Sequence, residues 1–129
     1  MAANIGNWDV SNVTNMNSMF KRAETFDQDL SAWNVGNVTD MGSMFAGSFT
    51  HETIFNQPLN GWDVSKVTTM RAMFDYNEAF DQPLAAWDVS NVTNMGSMFS
   101  AARSKPPDPG APNRKLRTSS MIDESISSE

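Results

Sequence analysis

At 129 residues the chain is long enough for one domain with a modest core. Its 15 Asp and Glu outnumber 9 Lys and Arg, for a net charge of −6. That balance speaks against a nucleic-acid partner, because phosphate binding needs clustered basic groups. The absence of cysteine excludes disulfides, thiolate metal sites and cysteine nucleophiles, and no apolar run approaches the roughly 20 residues that span a bilayer.

The first seven residues carry neither the basic flank nor the apolar stretch of a secretory signal. From there the chain repeats itself. Tryptophans stand at positions 8, 33, 62 and 87, and Met-Phe pairs end at Phe20, Phe45, Phe74 and Phe99, with the same spacings of 25, 29 and 25. The string Trp8-Asp9-Val10-Ser11-Asn12-Val13-Thr14-Asn15-Met16 returns unchanged as Trp87-Asp88-Val89-Ser90-Asn91-Val92-Thr93-Asn94-Met95. A second block recurs as Phe26-Asp27-Gln28-Asp29-Leu30, Phe55-Asn56-Gln57-Pro58-Leu59 and Phe80-Asp81-Gln82-Pro83-Leu84. Four extra residues between Phe45 and Phe55 account for the long spacing and predict a loop insertion near 46–54.

A unit of about 25 residues cannot bury its apolar face alone, so neighbouring units must stack. Within each unit, Ile5-x-x-Trp8-x-Val10 and its counterparts end in a period-2 alternation, which predicts a short strand with Trp and Val inward. Val13, Met16, Met19 and Phe20 follow at helical spacing and predict a short helix capped from Asn12-Val13-Thr14-Asn15. The expected fold class is therefore an α/β repeat solenoid of about four turns, with short parallel strands joined by short helices, over residues 1–102. Residues 103–129 hold four of the six prolines and little apolar content, and are expected to form a disordered tail.

The string Trp-Asp-Val-Ser-Asn-Val-Thr-Asn-Met-x-x-Met-Phe, with its Phe-Asn/Asp-Gln-Asp/Pro-Leu block, resembles the 25-residue repeat of BspA-like leucine-rich-repeat surface proteins over roughly residues 4–100. Leu-x-x-Trp-x-Val matches that family's Leu-x-x-Leu-x-Leu strand. Val-Thr-x-Met-Gly-x-Met-Phe, at 38–45 and 92–99, is similar to its Val-Thr-x-Ile-Gly-x-x-Ala-Phe stretch. The resemblance implies a right-handed leucine-rich-repeat coil, part of a longer extracellular or cell-surface protein that binds protein or other macromolecular partners and catalyses nothing. This chain shows no signal peptide or wall anchor of its own, and is expected to be a fragment of a longer array.

Side chains flanking an inward Trp and Val point outward, onto the concave face of such a coil. Candidate partner-binding residues are therefore Asn7, Asp9, Ser11, Asn34, Asp63, Ser65, Asp88 and Ser90, with Ala32, Gly36, Gly61 and Ala86 in the remaining outward slots. Stacked carboxylates repel, which invites a cation or a basic partner. Calcium needs 6–8 converging oxygens, more than one such column supplies, so no metal or cofactor is expected. Nothing pairs a nucleophile with a base, so no catalytic residue is expected either. Asn12, Asn37 and Asn91 match the glycosylation acceptor pattern, but stacked Asn side chains more often satisfy turn backbone. Gln28, Gln57 and Gln82 are expected to bond loop backbone in the same way. His51, alone in the insertion, has no repeated partner, and the basic run 114–117 sits in the expected tail. The alternative function is a structural spacer or a self-associating array stacked end to end, in which an exposed first strand pairs with another chain.

Overall fold

The structure is a computed structural model that describes residues 3–100; the expected tail at 103–129 lies outside them. Almost no regular secondary structure forms. Among the described residues there is no helix and no extended strand, only single parallel bridges joining Asn15 to Asp40, Asp40 to Thr69 and Thr69 to Asn94. The four repeats thus stack in register, as four turns that begin at Ile5, Leu30, Leu59 and Leu84.

The bridges correct the expected strand position. They fall five residues beyond Val10 and its counterparts, whereas Trp-x-Val lies between two tight turns closed by Trp8 N–H to Ile5 carbonyl (3.0 Å) and Val13 N–H to Val10 carbonyl (2.9 Å). The inter-turn bonds run through threonine. Thr39 N–H donates to Thr14, Thr68 to Thr39 and Thr93 to Thr68, each at 2.8 Å, and the three Oγ1 hydroxyls donate to the same carbonyls at 3.2 Å.

The expected helix is corrected too. Met19 N–H bonds to the Met16 carbonyl and Lys21 N–H to Ser18, three residues back rather than four. The alternate donors Met16, Ser18, Phe20 and Arg22 reach forward to Asp40, Gly42, Met44 and Ala46 of the next turn. A helix would consume those N–H groups internally and leave nothing to join the repeats. Apolar residues at helical spacing are equally served here by overlapping β-turns, and in the first of each pair, closed between the two methionines, the third residue takes positive φ as a type II turn requires. Ser18 (φ 61°), Ser43 (55°), Ala72 (57°) and Ser97 (58°) occupy that slot in all four turns.

The core is a set of columns running across the turns. Leu30, Leu59 and Leu84, the inward valines of the middle turns, and Met16, Met41, Met44, Met70, Met73 and Met98 are buried. Beside them lies the aromatic cluster. Phe20, Phe45, Phe74 and Phe99 stack at 5.6–5.7 Å with ring planes within 9°. Phe26, Phe55 and Phe80 form a second stack, each at 4.0–4.1 Å from the first. Offset stacking at this range adds to the burial of each ring.

Candidate functional site

The candidate site is the outward side of the Trp-x-Val segments, and one local bond recurs along it. Asp9 Oδ1 accepts from Ser11 N–H, Asn34 Oδ1 from Gly36 N–H, Asp63 Oδ1 from Ser65 N–H and Asp88 Oδ1 from Ser90 N–H, each at 3.0 Å. Ser11 and Ser65 add Oγ–H donors at 2.6 Å. Such turns arise because a short side-chain acceptor reaches the backbone two residues on and replaces a missing strand partner. The serine hydroxyls first, then their backbone N–H groups, hold the Asp9, Asp63 and Asp88 carboxyls below the usual 3.8; Asp63, in turn, pushes Asp88 slightly back up. The column therefore presents fixed negative charge with its oxygens partly engaged.

Asn7, Asp9, Asn34, Asp63, Asp88 and Ser90 are exposed, whereas Ser11 and Ser65 are half-buried. Within three of the four turns a serine N–H holds the acid two residues before it, Ser11 on Asp9, Ser65 on Asp63 and Ser90 on Asp88. Among the described residues no three His, Cys, Asp or Glu side chains come together as a metal site, and no helix is long and apolar enough to cross a membrane.

A parallel column of polar side chains, only one of them acidic, was missed from the sequence because Asn12-Val13-Thr14-Asn15 reads as a helix cap. Asn15, Asp40, Thr69 and Asn94 side-chain oxygens accept from Asn17, Gly42, Arg71 and Gly96 N–H at 2.8, 2.8, 3.3 and 2.9 Å. Asn17 Nδ2 then donates to Asp40 Oδ1 at 3.2 Å across the turns. The recurrence of an acceptor two residues before Asn, Gly or Arg was the available signal.

The Asn and Gln columns bond backbone. Asn37 Nδ2 donates to the Ser11 carbonyl (2.8 Å) and Asn91 Nδ2 to Ser65 (2.7 Å), while Lys66, which replaces Asn in the third turn, donates Nζ to Asn37 Oδ1 at 3.0 Å. A glycan on Asn37 or Asn91 would attach at the nitrogen that makes this bond. Gln28, Gln57 and Gln82 Nε2 donate to the carbonyls of Ala3, Asp27 and Asn56 in the preceding turn.

The insertion is tied down rather than loose. Ser48 and His51 exchange backbone bonds at 3.0 and 3.1 Å, the buried Thr53 hydroxyl donates to the Phe45 carbonyl at 2.9 Å, and His51 Nδ1 meets the Glu24 carboxylate of the first turn. Spacing alone could not reveal that last pair, since neither residue belongs to the repeat. Phe49 (72% exposed) and Ile54 (48%) stand out from this segment.

These columns cover a chain whose residues 1–111 match the family described as "Mycoplasma protein of unknown function, DUF285". The chain belongs to that family. No curated protein and no solved structure matches it. The matched span takes in all four repeats of the DUF285 chain.

Proposed function

We propose that the chain is a non-catalytic interaction module with a leucine-rich-repeat-like, right-handed coil of the BspA type, acting at a cell surface or outside the cell. In this reading it holds a basic macromolecular partner on the side that carries Asn7, Asp9, Ser11, Asn34, Asp63, Ser65, Asp88 and Ser90. The observation that carries the reading is the recurrence of one geometry. Asp9, Asn34, Asp63 and Asp88 repeat the same side-chain-to-backbone bond at 3.0 Å in successive turns. Side chains already fixed before binding lose less conformational entropy on contact. Charge repeated along one direction suits an extended basic partner better than a single small ion, and steers its approach.

The test is binding of a Lys-rich peptide, a neutral peptide of equal length and a set of matrix proteins to the immobilised full chain. A salt-sensitive preference for the basic ligands is expected, with at least tenfold loss in the Asp63→Lys/Asp88→Lys double variant. Binding that is unchanged in this variant, while its melting curve stays normal, would remove the acidic column as the site.

A further inference from the structure

The first turn differs from the other three in what it leaves uncovered. Trp8 is 53% exposed and Met19 39%, whereas their fourth-turn counterparts, Trp87 and Met98, are buried like those of the middle turns. Val13 and Phe20 beside them are only partly buried. The uncovered side of the first turn is the one that, in each later turn, lies against the turn before.

The polar groups of that side are sorted along the chain. Where the second turn meets the first, the donors that reach back come early in the repeat. Trp33 Nε1–H bonds to the Ile5 carbonyl, Asn37 Nδ2–H to Ser11, and the N–H and Oγ1–H of Thr39 to Thr14. The acceptors come late, because the carbonyls of Asp40, Gly42, Met44 and Ala46 receive the N–H groups of Met16, Ser18, Phe20 and Arg22. Carried back one repeat, the same pattern puts donors at Trp8, Asn12 and Thr14 and acceptors at Asn15, Asn17, Met19 and Lys21. Among the described residues no earlier turn engages them.

A side divided into a donor half and an acceptor half is complementary to a copy of itself turned over. A two-fold axis between Thr14 and Asn15 exchanges the halves. Thr14 N–H then falls opposite the Asn15 carbonyl, Asn12 opposite Asn17, and Trp8 opposite Lys21. The charges sort in the same way. Asp9 precedes the axis and Lys21 and Arg22 follow it, all three exposed, so the acid of each copy approaches the basic pair of the other. The Trp8 indole also offers its ring to the Lys21 ammonium.

We infer that two copies of the chain pair first turn to first turn about this axis, covering Trp8, Met19 and Phe20 and joining their Thr14 edges. Such a contact is isologous and closes at the dimer. It also removes the one apolar edge that Trp8 and Met19 leave open to further pairing.

The experiment uses the full chain, which has no cysteine of its own. Sedimentation from micromolar to millimolar concentration is expected to pass from monomer to dimer and to stop there. Position 14 lies next to the axis, which brings its two copies within the range a disulfide spans. Thr14→Cys alone is therefore expected to oxidise to a covalent dimer, and Thr93→Cys, at the same place in the fourth turn, is not. Lys21→Glu with Arg22→Glu is expected to weaken the dimer at least tenfold, and Asp9→Lys added to them to restore it. The inference would be overturned by a chain that stays monomeric at millimolar concentration, by growth beyond the dimer, or by Thr93→Cys cross-linking as readily as Thr14→Cys. A dimer indifferent to the charge reversal would overturn it as well.

Discussion

The indole Nε1–H of Trp62 donates to the carbonyl of Leu30, one full turn earlier, at 3.0 Å. The same bond joins Trp33 to Ile5 and Trp87 to Leu59. Tryptophan therefore fills the inward slot with both bulk and a donor, where a plain apolar residue would supply only bulk. Trp62→Phe should cost about 1–3 kcal/mol, from the lost bond and the smaller ring. Trp8→Phe, at an exposed position, should stay within about 0.5 kcal/mol. Urea unfolding of the two variants side by side checks the difference.

Ala72 holds φ at 57°, a conformation in which its Cβ crowds the carbonyl. Ala72→Gly removes that clash, so the variant should be about 1 kcal/mol more stable even after glycine's extra freedom in the unfolded chain is counted. Ala72→Val should move the urea midpoint the other way, since β-branching makes positive φ worse. A stabilisation by valine would mean that the turn can relax out of this conformation.

Asn77 is 3% exposed and engages at both ends: Nδ2 donates to the Phe55 carbonyl at 3.1 Å, and Oδ1 accepts from Ala79 and Phe80 N–H at 3.0 Å each. Asn77→Ala leaves three backbone groups short of a partner under the aromatic cluster. A loss of about 2–4 kcal/mol is expected, read as a lower urea midpoint at unchanged slope.

Asp9, Asp29, Asp63 and Asp88 are held below 3.8 by serine hydroxyls and backbone N–H groups. A carboxyl whose folded pKa is depressed adds stability that is present above its unfolded value and lost as pH falls through the folded one. Stability should therefore be level above pH 5 and decline as pH drops through and below 3.8. Ser65→Ala should raise the Asp63 pKa measured by NMR titration while leaving Asp9 where it is.

How much of this was legible depended on the repeat. Ile5, Leu30, Trp33 and Val35 could be placed inward because the spacing of Trp and Val recurs, and they are buried. The position of the ladder could not be read. Period 2 at Trp-x-Val and helical spacing at Val13, Met16, Met19 and Phe20 describe which side chains share a side, and a chain of successive β-turns satisfies both patterns. Asn77, Thr53 and the pairing of His51 with Glu24 escaped for a different reason: each occurs once, so repetition carries no information about it.

The sequence by itself determined the number of turns, their register and the columns of Trp, Val, Met and Phe, because near-identical units can pack against each other in only one alignment. Which backbone groups join those turns was decided by the tertiary structure. Each N–H can serve its own turn or the next, and only the presence of a neighbour at the right distance sends Met16, Ser18, Phe20 and Arg22 forward instead of back. The same dependence separates Trp8 from Trp33: the surrounding residues are alike, and the turn before them is not.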